Sequence, residues 1–396
     1  MEITFLKIVF WLSAGLILYV YLGYPLLLLL LRSFRQKEIK RGDVRPRVTI
    51  VIAAHNEAKS IAEKLENSLN LNYPRERLEI ILASDGSTDE TAAIAESFKE
   101  SGVRVLDLPR AGKIAALNKA VETARGEILV FTDANAIFEP DALRYLVSNF
   151  ADAEVGGVCG NQRYRKAVKH EGDSSGEGEN LYWKYDKLIK RLESGLGSTV
   201  AADGSIYAVR ANLFAPLANT AQADDHAISA RVVTRGKRLV FDERAVSYEE
   251  PPADGRREFR RKVRVTNHTV SSIINLPEAL DPRITGFYVV ELFSHKILRY
   301  AVPFLMIIAF AANLFLIGQG WIYRLMLAAQ VLFYICALTG FFLRTNKLGR
   351  VKPFYVPFYF CLANAASLLG TLSRLRGDQV VIWQPRGENS PVITRR

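Results

Sequence analysis

Cysteine and histidine are scarce in this chain, and their positions exclude several kinds of protein. The 396 residues include three cysteines and five histidines. Cys336 and Cys361 lie inside apolar stretches, and no cysteine has a second cysteine or a histidine at metal-ligand spacing. A disulfide framework and a zinc site are therefore not indicated. The sequence also lacks an internal repeat.

Long apolar runs are confined to the two ends of the chain. Residues 8–31 carry no formal charge, and a helix of this length spans about 36 Å, enough to cross a bilayer. Three more uncharged stretches occupy residues 300–323, 325–343 and 353–373. A cleaved signal peptide is the other interpretation of the first run, but the run is too long and lacks a small-residue cleavage pattern before Arg32. We therefore predict an integral membrane protein.

The basic residues indicate which side of the membrane the middle of the chain occupies. The net charge is +11, a surplus that can indicate nucleic-acid binding. Here, however, a basic cluster directly follows the first span: Arg32, Arg35, Lys37, Lys40, Arg41, Arg45 and Arg47. Lysine and arginine accumulate on the cytoplasmic side of membrane spans. The pattern predicts a cytoplasmic domain at a bacterial inner (plasma) membrane, with lipid and not nucleic acid as the partner of these charges.

The chain divides into five predicted segments. They are a transmembrane helix (1–31), a basic juxtamembrane linker (32–47), a cytosolic domain (48–285), an interfacial segment with C-terminal transmembrane helices (286–373) and a basic tail (374–396). Three C-terminal spans would leave the tail outside, whereas its five arginines favour the inside. We expect one apolar stretch to lie in the interface or to re-enter. The last stretch, with Pro353, Pro357 and Asn364, is the first candidate.

The cytosolic segment has the pattern of an α/β domain. Continuous apolar runs at residues 48–54, 78–83, 103–106 and 128–131 suit parallel strands that are covered on both faces. Helical patterns separate the runs: apolar residues recur from Ile61, Ser87 and Glu90 form a capping box for a helix over 88–98, and Gly126 closes a third helix. This alternation predicts a doubly wound sheet. Residues 168–180 are polar and predict a loop, either a surface excursion or a flap near the substrate.

Polar residues follow three of the predicted strands. They are His55-Asn56-Glu57, Ser84-Asp85-Gly86-Ser87 and Thr132-Asp133-Ala134-Asn135. Ligands of open α/β sheets bind beyond the carboxyl ends of the strands, so these turns predict one active-site crevice. A carboxylate such as Asp85 can accept the ring N–H of uracil. Asp133 and Asn135 offer hard oxygens for a divalent cation that bridges phosphates, and Lys113 and Asn118 can meet donor oxygens.

These motifs and three later ones carry a family resemblance. The segments concerned are 53–57, 84–89, 112–118, 133–135, 202–205, 224–226 and 261–264. Together they resemble the inverting family 2 glycosyltransferases, including the membrane-bound cellulose, chitin, hyaluronan and poly-N-acetylglucosamine synthases. The likeness covers about residues 48–270. It implies a GT-A fold, a UDP-sugar donor, a glycan or lipid-linked acceptor and Mg²⁺ or Mn²⁺ as cofactor.

The resemblance also implies a role for each matched residue. Nucleotide-sugar binding falls to His55, Asn56, Glu57, Asp85, Lys113, Asn118, Arg261 and Arg264. Asp133 matches the first acid of the metal motif, and Asn135 replaces its usual second Asp, which implies either weaker metal binding or completion of the site by another residue such as His226. Asp224 and Asp225 match a Glu-Asp pair whose second acid is the general base. Acceptor binding falls to Asp203, Gly204 and Ser205.

One departure from the family pattern separates the functional hypotheses. The Gln-x-x-Arg-Trp motif of processive synthases is here Arg261-Lys262-Val263-Arg264-Val265. Arg264 is kept, but the tryptophan of the acceptor platform is lost, which favours a transferase that makes single transfers or short glycans. A processive synthase with coupled translocation, an export partner and a catalytically silent membrane scaffold are the alternatives. Trp183 with Tyr182 is a candidate sugar-stacking platform, although aromatic residues at this spacing commonly form core.

Overall fold

The centre of the molecule is an eight-stranded sheet. The computed structural model describes residues 2–165, 175–218, 222–250 and 255–378. The strands are β1 (Val48–Ala54), β2 (Leu78–Asp85), β3 (Val103–Leu108), β4 (Ile128–Asp133), β5 (Ile137–Phe138), β6 (Val155–Tyr164), β7 (Tyr207–Arg210) and β8 (Arg238–Glu249). Their order is β3-β2-β1-β4-β7-β6-β8-β5. This mixed sheet, covered by helices, is the GT-A-like α/β fold.

The four strands expected from the apolar runs are all present and parallel. Every residue of β1 is buried, and its neighbours β2 and β4 run in the same direction. Two apolar clusters, one on each face, enclose this half of the sheet. The other half departs from a purely parallel sheet, because β7 is antiparallel to both β4 and β6. The prediction of a doubly wound parallel sheet is therefore right for the first half and incomplete for the second.

Fourteen helices surround the sheet and extend from it within the residues that the structure describes. They are α1 (Glu2–Leu18), α2 (Tyr24–Phe34), α3 (Ile61–Leu69), α4 (Thr91–Glu96), α5 (Lys113–Thr123), α6 (Ala142–Ser148), α7 (Ser175–Leu196), α8 (Asp224–Thr234), α9 (Gly255–Ile274), α10 (Pro282–Thr285), α11 (Tyr288–Leu292), α12 (Leu298–Leu316), α13 (Trp321–Phe342) and α14 (Lys352–Leu375). Residues 168–174 of the predicted loop lie outside the described ranges. From Ser175 the chain is helical, so the loop prediction fails for residues 175–180.

The predicted capping box is also wrong. Helix α4 begins at Thr91, three residues later than expected, and the Asp89 carboxylate accepts from the Thr91 N–H at 3.0 Å. Ser87 instead accepts from the Asn56 N–H at 3.2 Å and so joins the first two loops of the crevice. The serine holds a tertiary contact, which a local sequence pattern does not predict. The glycine at position 126 is likewise required by a contact with a residue distant along the chain, because a Cβ there would lie 2.4 Å from the Thr49 nitrogen.

Four helical segments are long and apolar enough to cross a membrane by length and composition. They are Glu2–Phe34, Tyr288–Gln319, Trp321–Phe342 and Lys352–Leu375. The first and second pack antiparallel, since Phe10 lies in one cluster with Ala312 and Leu316, and Val20 lies in another with Leu298. Helix α2 continues the first segment onto the domain, where the Tyr24 hydroxyl donates to Glu193 of α7 at 2.7 Å.

Helix α14 ends against the domain. Near the start of α14, a Cβ at Gly340 of α13 would lie 2.4 Å from the Phe354 oxygen. Near its end, Gly370 packs so closely on α9 that a Cβ would lie 2.6 Å from the Val263 oxygen. The Arg374 Nε also donates to Ser271 of α9 at 2.6 Å. The last turn of α14 is therefore fixed to a helix of the domain.

Candidate active site

Three polar turns lie at one edge of the sheet. Strand β1 lies between β2 and β4 in parallel register, so the chain leaves all three strands on the same side. Asp85 ends β2 and Asp133 ends β4, and these two strands lie two strand spacings, or about 10 Å, apart. The turns expected to form the site at the carboxyl ends of the strands therefore lie at this edge of the sheet.

The first turn is held by hydrogen bonds to the residues that follow β2. Asn56 adopts φ 53°, a left-handed conformation that is uncommon outside glycine and is worth attention near a site. Its side-chain oxygen accepts from the Thr88 N–H at 2.8 Å, and the Glu57 N–H donates to Thr91 at 2.8 Å. His55 is buried beside the Asp85 carbonyl, at 2.8 Å. These residues tie the first turn to the second.

Asp85 anchors the turn that leads into α5. Its carboxylate is 1% exposed and accepts from the N–H groups of Ala111 and Gly112 at 2.7 and 2.9 Å. The Arg110 guanidinium donates to it at 2.6 Å. Asp85, the residue predicted to bind uracil, therefore positions the Arg110–Lys113 turn in this structure. Gly86 allows the close approach, because it has φ 59° and a Cβ there would lie 2.7 Å from the Arg110 nitrogen.

Three predicted acids converge around Lys113. The Lys113 ammonium lies 2.9 Å from Asp133 Oδ1 and 3.1 Å from Asp224 Oδ2. A Cβ placed on Gly204 would lie 3.5 Å from Asp225 Oδ2 and 3.7 Å from Asp133 Oδ2. Two acids from distant parts of the chain therefore face one point above Gly204. Asp224 and Asp225 begin α8, where the helix dipole favours negative charge.

The electrostatics of these acids suit proton transfer near neutral pH. Burial, then the like charge of Asp224, raise the pKa of Asp225 from 3.8 to about 7, against the opposing charge of Lys113. Burial alone would lower the pKa of Lys113, but the carboxylates of Asp133 and Asp224 raise it above its ordinary value. Lys113 thus stays charged while Asp225 can gain and lose a proton.

Tyr207 was not anticipated. Its ring stacks on Phe131 with centroids 5.0 Å apart, and its buried hydroxyl has no hydrogen-bond partner within the described ranges. Burial and the charges of Asp224 and Asp225 raise its pKa well above the usual range, so the phenol stays neutral beside the acids. A buried unsatisfied hydroxyl at such a place is an available donor. Tyr207 was missed because a tyrosine in a short strand normally indicates only core.

The predicted acceptor residues have mixed environments. Gly204 faces Asp225 and Asp133 as described above, but the Ser205 hydroxyl is buried and accepts from Ser247 at 3.0 Å. Asp203 forms an ion pair with the buried ammonium of Lys190, which also lies 3.2 Å from Asp186. Of the three residues, Gly204 is therefore the one placed at the acids, and Asp203 and Ser205 hold the turn that carries it.

The remaining predicted donor residues lie farther from the acids. The Asn118 amide donates to the Leu217 carbonyl at 2.8 Å and accepts from its N–H at 3.1 Å, so it fixes a loop. Arg261 binds both oxygens of Glu258 at 2.8 and 2.9 Å, and Arg264 is partly buried one turn further along α9. Helix α9 reaches the acids through Ala223, whose N–H donates to the His268 carbonyl at 3.2 Å.

Lys64 is a second residue that sequence reasoning missed. Its ammonium is fully buried and donates to Thr132 at 2.9 Å, beneath the turn that carries Asp133. Burial lowers its pKa from 10.5 to about 7, although the charges of Asp133 and Glu249 oppose this. A signal was available, since Lys64 lies on the apolar face defined by Ile61 and Leu65.

The acids do not form a complete metal-ligand set by themselves. No group of three or more His, Cys, Asp or Glu residues in the described part of the chain is arranged to hold a metal ion. His226 is buried, its two ring nitrogens lack partners there, and burial lowers its pKa to about 3. The imidazole is therefore neutral, and the expectation that His226 completes the site with Asp133 and Asn135 stays a prediction.

The family of the chain follows from comparison with known proteins. The model of the glycosyl transferase family 2 matches residues 49–252, which is more than half of the chain. The chain belongs to glycosyltransferase family 2. It is accordingly an enzyme of glycosyl transfer, and the resemblance carried by its motifs is confirmed.

Individual family 2 relatives agree with this membership. The chain is 29% identical over 229 residues to YdaM of Bacillus subtilis, described as a probable glycosyltransferase. The match covers 55% of this chain and 54% of that protein. It is 30% identical over 210 residues to the poly-β-1,6-N-acetyl-D-glucosamine synthase of Staphylococcus aureus, covering 51% of this chain and 49% of the synthase. The chain thus spans about half the length of these curated relatives.

A solved structure supports the fold over nearly the whole chain. The mannosyltransferase PcManGT from Pyrobaculum calidifontis, solved with GDP-mannose and Mn²⁺, superposes with a TM-score of 0.70. The superposition covers 93% of this chain and 99% of that chain at 24% identity, a level that establishes the fold alone. The likeness in fold therefore extends over the apolar helices as well as the GT-A-like sheet domain.

Proposed function

We propose that the enzyme transfers a sugar with inversion, from a nucleotide diphosphate donor to an acceptor hydroxyl at the membrane surface. The observation that carries the proposal is the convergence of Asp133, Asp224 and Asp225 around Lys113 and Gly204. A base, a cation and an open position between two carboxylates are the groups that a single displacement at an anomeric carbon requires.

In the proposed reaction Asp225 accepts the proton of the acceptor hydroxyl. The acceptor oxygen then forms the new bond to the anomeric carbon, and the bond from that carbon to the diphosphate oxygen breaks. The pKa of Asp225, raised to about 7 by burial and by Asp224, gives the carboxylate enough proton affinity for this step. General base catalysis of this kind contributes about 10²–10⁴-fold. The cation of Lys113 lies where it can stabilise the departing diphosphate.

The donor is proposed to be a UDP-sugar lying across the strand ends. The base end would lie at the turn of His55, Asn56 and Glu57, beside the Arg110–Lys113 turn that Asp85 positions, and the diphosphate end at Lys113 and Asp133. The spacing of about 10 Å between β2 and β4 suits a ligand of nucleotide length. Asn118, Arg261 and Arg264 would then shape the donor side from α5 and α9, and Asp203 and Ser205 would hold the acceptor-facing Gly204.

A divalent cation fits this site when a diphosphate is present. The three acids exceed the charge of Lys113, which is the one ammonium bonded to them among the described residues. Asp133 Oδ2 faces the open position above Gly204, and the Tyr207 hydroxyl, whose pKa the charges of the same acids raise, is unsatisfied. Mg²⁺ typically uses one or two carboxylates together with substrate phosphates, so Asp133, with Asn135 beside it, would hold Mg²⁺ or Mn²⁺. When bound, the cation supplies Lewis-acid stabilisation of the leaving diphosphate.

The membrane arrangement is proposed from the helix contacts. The first segment enters the cytoplasm, the pair α12 and α13 crosses out and back, and α14 lies at the interface. The fixation of the last turn of α14 to α9 supports this arrangement, because it keeps Arg374 and the basic tail on the same side as the domain. Residues 48–285 would then form the cytosolic domain of an inner-membrane protein, with 32–47 as its basic linker.

A processive polysaccharide synthase is the second candidate, and the synthase of Staphylococcus aureus among the relatives favours it. Val265 opposes it, since this residue is 45% exposed where processive synthases place the tryptophan of the acceptor platform. We therefore propose single transfers or short glycans, in cell-envelope or exopolysaccharide biosynthesis. An export partner would be needed only for the processive case.

The test is release of UDP by the detergent-purified enzyme. A panel of UDP-sugars and GDP-mannose is supplied with and without Mg²⁺ or Mn²⁺, and product length is measured with the preferred donor. We expect release with a UDP-sugar that requires a divalent cation and falls at least 100-fold in Asp225→Asn. Asp107→Asn, an exposed carboxylate on β3, is the matched control. Full activity of Asp133→Ala without added metal would contradict the mechanism.

A further inference from the structure

A series of buried polar contacts joins the apolar segments to the turn that carries Gly204, and the proposed reaction does not use it. The series begins at Glu193 of α7, whose side chain is fully buried. The Oε1 atom of Glu193 accepts from the Tyr24 hydroxyl at 2.7 Å and lies 2.8 Å from His295 Nδ1. Tyr24 and His295 belong to the first and second apolar segments. The two segments therefore meet the domain at a single carboxylate oxygen.

His295 bridges two acids of α7. Its second ring nitrogen, Nε2, lies 3.3 Å from Asp186 Oδ1. Asp186 and Glu193 are two helical turns apart and so lie on the same face of α7. The imidazole ring presents a nitrogen to each acid, whereas a glutamine side chain has one nitrogen and one oxygen and can donate to only one of them.

The contacts continue from α7 to residues 203–205, which we name the acceptor turn. The Lys190 ammonium lies 3.2 Å from Asp186 Oδ2 and also pairs with Asp203 Oδ1. Burial acts against ionisation, but the charge of Lys190 holds the pKa of Asp186 well below its usual range, so this acid stays ionised. The Asp203 carbonyl accepts from the Ile206 N–H at 3.1 Å and so closes the acceptor turn.

A second branch reaches the residues just before the acceptor turn. Glu193 Oε2 accepts from the Thr199 hydroxyl at 3.0 Å and from the Val200 N–H at 3.2 Å. The Val200 carbonyl accepts from the Tyr288 hydroxyl at 2.8 Å, and Tyr288 begins the second apolar segment. The acceptor turn and the residues that lead into it are thus both fixed from the side of the apolar segments.

The local helix geometry is unusual at the same place. Residues Phe293–Ile297, which include His295, form a π-helical turn, and Tyr19–Gly23 form another in the first apolar segment. The two turns are in contact, because the hydroxyls of Tyr19 and Ser294 lie 2.9 Å apart. Single π-helical turns are rare and occur frequently at functional sites. A paired set of such turns where the polar contacts begin indicates a role beyond helix packing.

We propose that His295 is a positioning residue, which fixes the acceptor turn relative to the two apolar segments and so aligns an acceptor that reaches Gly204 from the membrane surface. Loss of the bridge would leave two buried acids without their common partner and allow the acceptor turn to move away from Asp225. Donor binding is held separately, because Asp85 positions the Arg110–Lys113 turn. The inference rests on the proposed function for the role of the acceptor turn, but not for its connection to His295.

Hydrogen exchange of the full-length protein in phosphatidylcholine nanodiscs, followed by mass spectrometry, tests the connection without catalysis. The variants are His295→Gln and the milder Tyr24→Phe, which removes only the hydroxyl that donates to Glu193. Tyr323→Phe is the control, because the Tyr323 hydroxyl accepts from Trp11 at 3.2 Å, between two apolar segments. Exchange is compared at residues 199–206 and in β1, whose residues are all buried.

We expect exchange at residues 199–206 to accelerate about tenfold in His295→Gln, the usual effect of losing one charge-assisted hydrogen bond, and about threefold in Tyr24→Phe. Strand β1 should exchange as in wild type in both variants, and the Tyr323→Phe control should match wild type throughout. Unchanged exchange at residues 199–206 in both variants would overturn the proposal. An equal acceleration in β1 would also overturn it, because it would indicate a general loss of stability.

Kinetics then distinguish the acceptor side from the donor side. With the preferred UDP-sugar, His295→Gln should lower kcat about tenfold while the KM for the donor and the affinity for UDP, measured by calorimetric titration, stay unchanged. Weaker binding of UDP with an unchanged kcat would contradict the proposal by assigning the connection to the donor. If the wild-type enzyme released no UDP, the proposed function would fail, and hydrogen exchange would still decide whether His295 holds the turn.

Discussion

Replacing Asp224 with asparagine should shift the pH dependence of the reaction to lower pH. Asp225 must be ionised to act as the base, and its pKa is raised from 3.8 to about 7 by burial and then by the charge of Asp224. In wild type, kcat/KM is therefore expected to rise with pH to a plateau above about pH 7 and to fall tenfold per unit below it. The substitution removes the like charge of Asp224, while the opposite charge of Lys113 remains. The ionised form of Asp225 is therefore favoured, and its pKa is expected to fall.

Coulomb's law gives an upper bound on this shift. Two like charges about 4 Å apart at an effective dielectric constant of about 20 would repel by about 4 kcal/mol, which corresponds to about three pKa units. Burial is the larger cause and is unchanged, and Lys113 already offsets part of the repulsion, so we expect a shift of about one unit. At pH 6 only about a tenth of wild-type Asp225 is ionised, against about half in the variant.

The assay is kcat/KM for UDP release from pH 5 to 9 at saturating metal, normalised to each plateau. Asp107→Asn serves as the control for removal of one negative charge at a distant, exposed position. The plateau of Asp224→Asn itself can fall, since Asp224 also holds Lys113 at 3.1 Å, so the position of the acid limb is the decisive quantity. An acid limb that stays in place or moves to higher pH would refute the assignment of Asp225 as the titrating base.

Two further predictions concern the support of the site. Lys190→Met should lower the free energy of unfolding of the domain by about 3–5 kcal/mol, because it leaves Asp186 and Asp203 buried without their shared cation. Thermal unfolding measures this, with Lys119→Met as the control at a side chain that is 60% exposed. A melting temperature equal to that of the control would show that the buried pair is dispensable. Gly204→Ala should leave the melting temperature unchanged, since the new methyl group meets carboxylate oxygens at ordinary contact distances of 3.5 and 3.7 Å. It should nevertheless reduce kcat at least about tenfold, because the methyl group fills the space between Asp225 and Asp133. Gly197→Ala, which meets nothing within 4 Å, is the control, and equal activity of the two variants would mean that no substrate atom passes above Gly204.

The strands and the acids that follow them were predictable because their signals are local. Runs of buried apolar residues predicted β1 to β4, and each run ends in a polar turn that the parallel arrangement places at one edge. The family motifs then marked Asp224 and Asp225 far along the chain. Ser87 shows the limit of local signals, since it has the sequence of a capping box but bonds to Asn56 of another loop.

Side-chain environment was much less predictable than position. Asp85 and Asp203 are at expected places, yet one anchors the Arg110–Lys113 turn and the other pairs with Lys190. Lys190 and Tyr207 carried no recognisable motif, because a buried polar residue is identified by what surrounds it, and Lys64 was marked only by its position on the apolar face of α3. The antiparallel insertion of β7 between β4 and β6 is likewise a choice among pairings that the residues of a short strand do not specify.

The sequence by itself determined the apolar helices, the α/β alternation, the family motifs and hence the class of enzyme. These depend on periodicity, composition and spacing, which are properties of neighbouring residues. Only the tertiary structure decided that Lys113 joins Asp133 to Asp224, that α14 ends on α9, and that Lys262 and Arg299 both contact the ring of Tyr182. Such contacts join residues that are distant along the chain, and their energies depend on burial and on every nearby charge, neither of which exists before the chain is folded.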